Sequence, residues 1–286
     1  MRPPIKKGET LMELLKTQIQ IGLPAPVRVL HFSDTHLTRA DLRDGDRKVE
    51  LADARYQAFK NAEEVLQFAS ANALAMDIPI LHTGDLCDFV SLANIEAARE
   101  FTDTHDVFMV AGNHEFSLYV GEAWEDEAYR NQSLALVQSA HKNNIRMDSR
   151  VIDGVNFVAL DNGYYLFDRE QLDFLKTQVA RGLPIVLLCH VPLYDRELYD
   201  FELSRAPGCA YLCGVPEELM AHYDEYRFRQ QKADATTLET LRYIAEEPLV
   251  KAVLTGHLHV NHVASYAGRM PQIFTGCEAV RLIEFV

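Results

Sequence analysis

Five short apolar runs, each passing at once into residues that bind metals, constrain this chain more than any other feature of its sequence. Residues 27–32 lead into Ser33-Asp34-Thr35-His36, 78–81 into Gly84-Asp85, and 107–110 into Gly112-Asn113-His114-Glu115. Residues 185–189 lead into His190, and 250–254 into Gly256-His257-Leu258-His259. Runs this short and this rich in Val, Ile, Leu and Phe read as strands buried on both faces. In open α/β sheets ligands bind beyond the carboxyl ends of strands, so five such blocks can converge although more than two hundred residues separate the first from the last. Glycine precedes three of the blocks, which predicts sharp backbone turns there.

Between the runs the apolar period changes from continuous to helical. Phe59, Ala62, Leu66, Ala69 and Ala73 recur at spacings of three and four, predicting one helix over about 51–75. Residues 92–101, 168–179 and 236–246 read the same way. Asp153-Gly154 predicts a hairpin within 150–160, and the tail from 261 reads as further short strands. Thr10 and Glu13 have capping-box spacing, so an N-terminal helical extension is expected over about 9–21. No Gly/Ser or Pro-rich linker and no repeat divides the chain, and the class is α/β, with 1–286 read as one domain.

Composition narrows the partners. With 42 acidic against 28 basic side chains the formal charge is -14, which repels a polyphosphate backbone and argues against long nucleic acid. Apolar runs such as 183–189 fall far short of the roughly 20 residues that span a bilayer, so no membrane association is expected. Cys87, Cys189, Cys209, Cys213 and Cys277 are odd in number and form no disulfide framework, which fits a reducing cytoplasm.

Asp34, His36, Asp85, Asn113, His190, His257 and His259 offer seven oxygen or imidazole donors and no thiolate. That mixture suits Mn, Fe, Co or Zn, with Mn favoured, over Ca or Cu(I). Seven ligands are too many for one catalytic ion that keeps an open position, but they serve two ions that share a carboxylate. Two carboxylates and two divalent ions leave a site of about +2, enough to draw an anionic ester to an acidic protein. Such a pair can hold a bridging hydroxide in line with phosphorus, and His114, next to a ligand asparagine, is the free imidazole placed to protonate a leaving group.

In this order the blocks Asp-x-His, Gly-Asp, Gly-Asn-His-Glu, a lone His and Gly-His-x-His resemble those of the calcineurin-like metallophosphoesterase superfamily, over Asp34 to His259. The Asp34 and Asp85 blocks are similar to its cyclic-nucleotide phosphodiesterase-like and general bacterial branches. The resemblance implies a two-sheet β sandwich flanked by helices, in α/β/β/α layers. It implies Asp34, His36 and His259 on one ion, Asn113, His190 and His257 on the other, and Asp85 bridging both. His114 would be the general acid, and Glu115, where many members have Asp, would orient its ring. Phe89 and Ala111 stand where Ser/Thr phosphatases carry phosphate-gripping arginines, and Asp88 where purple acid phosphatases place a metal-binding Tyr. The implied activity is hydrolysis of a phosphodiester or small phosphomonoester. The rivals are a non-catalytic interaction scaffold, against which the intact ligand set argues, and a nuclease, which the acidic charge disfavours.

Residues 193–232 exceed an ordinary connection and are expected to form a cap. Their tyrosines and arginines, among them Tyr211, Tyr226, Arg205 and Arg227, suit both packing onto the body and pairing with a phosphate ester. The loop 38–50, with Arg39, Arg43 and Arg47, is expected to form the opposite wall. His31 and His82 read as hydrogen-bonded core residues beside the site.

Overall fold

Strands and helices alternate as the apolar periods require in the computed structural model, which describes residues 12–286. The first half runs β1 (Glu13–Ile19), β2 (Val27–Phe32), α1 (Asp46–Tyr56), α2 (Ala62–Met76), β3 (Ile80–His82), α3 (Leu92–Thr104), β4 (Val107–Met109), α4 (Glu127–Gln138), β5 (Met147–Ile152) and β6 (Val155–Leu160). The second continues with α5 (Arg169–Val179), β7 (Ile185–Leu188), α6 (Arg196–Arg205), α7 (Glu225–Gln231), α8 (Ala235–Glu246), β8 (Val250–Thr255), β9 (His262–Tyr266), β10 (Met270–Phe274) and β11 (Ala279–Phe285). Among the described residues no helix is long and apolar enough to cross a membrane.

Two mixed sheets result, ordered β1-β11-β2-β3-β4 and β5-β6-β7-β8-β10-β9. Their facing sides interdigitate: Val29, Leu81 and Phe108 of the first meet Phe157, Val186 and Leu254 of the second in one buried cluster. The outward side of the first sheet, including Leu30, Phe32 and Met109, packs on Val65 and Ala69 of α2 and Phe101 of α3. The outward side of the second, with Val158 and Leu187, takes Leu175 of α5 and Leu241 and Ile244 of α8. Strands sandwiched in this way need apolar residues at successive positions, which is why they read as continuous runs.

Two expectations fail. Residues 13–19 form a strand, not a helix: β1 pairs in parallel with β11 from Glu13↔Ala279 to Ile19↔Phe285. An open sheet edge and burial of Ile19 between the sheets outweigh the local capping signal; Thr10 lies outside the described residues. The helix expected over 51–75 is two helices broken at 57–61. Its stripe from Ala62 to Ala73 does stay helical, but Phe59 leaves it to stack on the ring of His36 at 4.0 Å and 11°.

Candidate metal centre

β2, β3 and β4 of one sheet and β7 and β8 of the other deliver their carboxyl ends to one place, and the loops that follow carry the donor side chains. Asp34, His36, Asp85, His257 and His259 have φ of 56, 52, 57, 67 and 53°. A left-handed conformation costs a non-glycine residue about 1 kcal/mol or more, so five in one cluster mark a backbone bent for a purpose. In both D-x-H and H-x-H the two outer residues are left-handed; Asp34 and His36 turn to one donor group, whereas His257 and His259 divide between two. The glycines play a different part from the one expected. Only Gly84 of the three has positive φ, at 96°. Gly112 and Gly256 are required by space: a Cβ on the first would overlap the Asp85 carboxylate, and on the second Ser33 Oγ and Asp34 Oδ2.

The donors form two groups that share Asp85. In the first, His36 Nε2 lies 3.1 Å from His259 Nε2, and His259 Nε2 lies 3.4 Å from Asp34 Oδ1. In the second, His190 Nε2 is 3.2 Å from His257 Nδ1. Asp85 Oδ2 stands between them, 3.6 Å from His36 Nε2 and 3.2 Å from His190 Nε2. Ligands about 2.1 Å from one ion are separated by about 3.0 to 3.4 Å in octahedral or tetrahedral geometry; four of the five distances fall in that range, and His36 to Asp85 at 3.6 Å lies just beyond it. Asn113 Oδ1 is buried without a partner, an orphaned acceptor that a cation would satisfy. All seven predicted donors are thus brought to one place, and they fit two ions.

Outer partners fix which ring nitrogen faces inward. His36 Nδ1 meets Asp88 Oδ1 at 2.9 Å, His190 Nδ1 donates to Thr83 O at 2.7 Å, and His257 Nε2 meets Tyr165 Oη at 2.8 Å. Each contact leaves the other nitrogen free as a ligand. The expected core histidines are so: His31 bonds Thr83 and Thr275 hydroxyls, and His82 the Thr35 hydroxyl.

Burial alone would raise the Asp85 and Asp34 carboxyls, but neighbouring imidazoles outweigh it, chiefly His190 and His114 for Asp85 and His259 for Asp34, and hold both well below the usual range. Conversely, burial lowers His190 and His114, yet the nearby carboxylates win. Asp85 and Asp34 hold His190 up at about 10, and Asp85 and Asp88 hold His114 at about 9. The proton on His190 therefore stands where a cation fits, and that on His114 beside it.

Glu115 does not orient His114. Its carboxylate accepts from the backbone N–H groups of Asp85, Leu86 and Gly112 at 2.7, 2.6 and 2.6 Å, tying two donor loops together. A rigid 3-10 turn at His114–Phe116 turns the two neighbouring side chains to different partners. The carboxylate at His114 is Asp88, whose Oδ1 is 3.1 Å from Nδ1, while Asp88 O accepts from the same nitrogen at 2.8 Å. Asp88 also receives Arg55 at 2.6 and 2.8 Å. The sequence reading missed Asp88, Arg55, Phe59 and Tyr165; the one available signal was a second carboxylate three residues after Asp85.

Over the donors lies a cavity of about 530 Å³, lined on one side by Asn113, His114, His257 and His259 and on the other by Tyr211, Tyr226 and Arg227 of the 193–232 segment. That segment has its own core of Leu198, Tyr199, Leu212 and Met220, into which Leu258 inserts from between the two histidine donors. His262 stacks on Phe201 at 4.6 Å and 8°, a packing contact away from the donors. The loop 38–50 does not supply the opposite wall; Val120, Gly121 and Glu125 do. Arg39, Arg43 and Arg47 are instead held in surface ion pairs with Glu63, Asp41 and Glu96, and Glu122.

Among solved structures the chain is similar to a dimetal phosphatase from Danio rerio, at 13% identity and TM-score 0.49 over 88% of each chain. It is also similar to the phosphopantetheinyl hydrolase from Mycobacterium tuberculosis, at 13% identity and TM-score 0.40 over 89% of this chain and 91% of that one. A putative 5'-nucleotidase from Staphylococcus aureus matches at 12% identity and TM-score 0.46, over 89% of this chain and 49% of the other. No curated protein sequence matches. The sequence model of the calcineurin-like phosphoesterases covers residues 27–261, from the start of β2 past the last histidine donor, and the chain belongs to that family.

Proposed function

We propose that this protein is a binuclear metal-dependent phosphoesterase acting on a phosphodiester or small phosphomonoester, with His114 as general acid. The observation that carries the reading is the pair of donor groups meeting at Asp85, with ligand-to-ligand distances of 3.1 to 3.6 Å and the orphaned Asn113 oxygen beside them. Asp34, His36 and His259 would hold one ion, Asn113, His190 and His257 the other, and Asp85 both. The mixed oxygen and nitrogen donors suit Mn, Fe, Co or Zn, and Mn is the ion we propose to test first. Bound there, the ions supply Lewis acidity toward a phosphoryl oxygen and make water acidic enough to ionise near neutral pH. His114 Nδ1 is held by Asp88, so its Nε2 faces the cavity and carries the proton that the departing alkoxide needs. The 193–232 segment acts as a cap that limits the size of the ester and keeps bulk water from the donors. The five unpaired cysteines support a cytoplasmic setting.

Two substitutions test the roles. Asp85→Ala is expected to lower metal content, measured by mass spectrometry of the dialysed protein, at both sites. His114→Ala is expected to retain metal and lose turnover by about 10² to 10⁴, most on esters with poor leaving groups. Full activity of both variants on alkyl and aryl phosphoesters with added Mn would leave the assignment of roles without support, whereas no metal in protein purified without chelator and no gain on adding Mn would revive the scaffold reading.

A further inference from the structure

Two guanidinium groups line the cavity over the donors, and only one of them is neutralised. Arg205 Nη1 reaches both oxygens of Glu202, at 2.7 and 2.9 Å. Arg227, on α7, makes no ion pair among the described residues. Of its five N–H donors one has a protein acceptor, Gln230 Oε1 at 2.8 Å. The group is nonetheless held in place. Its central carbon lies 5.0 Å from the ring centre of Tyr211 and 5.3 Å from that of Tyr226, and Gln230 is braced in turn by Glu125 Oε2 at 3.0 Å.

A half-buried guanidinium with an oriented, mostly unused fork is a receptor for an oxyanion. In a chain with 42 acidic residues, the absence of any carboxylate on it points to an anion that comes from outside. Its position says which anion. The Tyr211 ring stands 6.1 Å from the ring of the His257 donor, with Arg227 over that same tyrosine, so one aromatic ring separates the guanidinium from the donor cluster. The scissile phosphoryl group must lie against the donors. In a phosphomonoester the only organic group is the leaving group, so what reaches Arg227 is a part of it further out, and a cavity of about 530 Å³ has room for it.

We propose that Arg227 is a specificity-determining residue that recognises a second oxyanion on the leaving group, so that the site selects small phosphate esters carrying a further phosphate or carboxylate. This rests on the phosphoesterase reading for the placement of the first phosphoryl group. Tyr211 and Tyr226 orient the guanidinium, and Gln230 sets the rotation of its fork.

Binding of three non-hydrolysable probes to the Mn-loaded full chain tests it by calorimetry: butylphosphonate, phosphonobutyrate, and butane carrying a phosphonate at each end. The parent should bind at least one doubly anionic probe roughly tenfold or more tighter than butylphosphonate, and the better of the two identifies the second oxyanion. Arg227→Gln should abolish that preference, Arg227→Lys should keep part of it, and Arg28→Gln, an exposed charge control, should leave it intact. Thermal unfolding near the parent's midpoint shows that the variants are folded. A parent that binds the three probes alike, or none of them, overturns the proposal, as does a preference that survives in Arg227→Gln. Failure of the phosphoesterase reading looks different: the Mn-loaded parent hydrolyses no ester, whatever it binds.

Discussion

Protein stripped of metal by a chelator is expected to lose stability as pH rises from about 6.5 to 10. His114 is held at about 9 and His190 at about 10, because the buried carboxylates of Asp85, Asp88 and Asp34 outweigh the burial that opposes their protonation. An unfolded histidine titrates near 6.5. The folded values are the higher ones, so the stabilisation is complete below pH 6.5 and drains away as pH rises through 9 and 10. Taken alone, His114 contributes about 3 kcal/mol and His190 about 5 kcal/mol. Both act through Asp85, so the combined loss is less than their sum and falls on the order of 3 to 6 kcal/mol. His82 and His257 set the other limb. Burial first, helped at His257 by the charge of His190, holds both at about 3, so their contribution is lost as pH falls below 6.5. Stability of the metal-free chain should therefore peak near pH 6 to 7. Urea unfolding at fixed ionic strength, in chelator, at pH 6, 7.5, 9 and 10 gives the profile directly. With metal bound, a cation takes the place of the proton on His190 and the alkaline decline should shrink. A metal-free profile that stays level or climbs between pH 6.5 and 10 would refute the reasoning.

Asp88→Asn should cost about 2 to 4 kcal/mol in urea unfolding, since it leaves Arg55 and two imidazole N–H groups facing a neutral amide. It should also lower kcat by about 10² or more on alkyl esters, and equal kcat in parent and variant would remove Asp88 from the account. Phe59→Ala should destabilise by about 1 to 2 kcal/mol and loosen the ring of His36, seen as faster loss of one metal equivalent on dialysis. Loss of both equivalents together would count against a separate role for Phe59. Gly256→Ala should destabilise by about 3 kcal/mol, read by thermal denaturation, because the new methyl overlaps Ser33 and Asp34; an unchanged midpoint would show that the loop has slack.

The strands and the donors were legible in the sequence for the same reason. A strand covered on both faces must be apolar at every position, and a metal ligand must be one of a few residue types, so both leave their mark on residue identity. Partnership in space leaves no such mark. Glu115 is next to His114 in sequence, yet it ties the Asp85 and Gly112 loops, while Asp88, from the preceding loop, meets the ring. Phe59 fits the apolar stripe of α2 by its spacing, but α2 starts only at Ala62 and Phe59 stacks on His36 instead. The segment 13–19 alternates well enough for either structure, and only the pairing partner β11, more than two hundred residues later, decides for strand. The glycines were attributed to turning, whereas at Gly112 and Gly256 the side chains packed against them leave no volume for a Cβ.

The donor cluster is costly to the fold before any ligand arrives. Five left-handed residues at about 1 to 2 kcal/mol each approach the whole net stability of an ordinary domain, about 5 to 15 kcal/mol. Asp34 and Asp85 add buried negative charge within a few ångströms of each other's ligands. Three apolar layers, two between sheet and helices and one between the sheets, hold this arrangement in place. What the layers cannot do is neutralise the carboxylates; protons on neighbouring histidines do so in the metal-free chain, and bound cations would do so in the proposed enzyme. Chelation should therefore destabilise the protein least near pH 6 and most near pH 10, where neither protons nor ions remain to offset the charge.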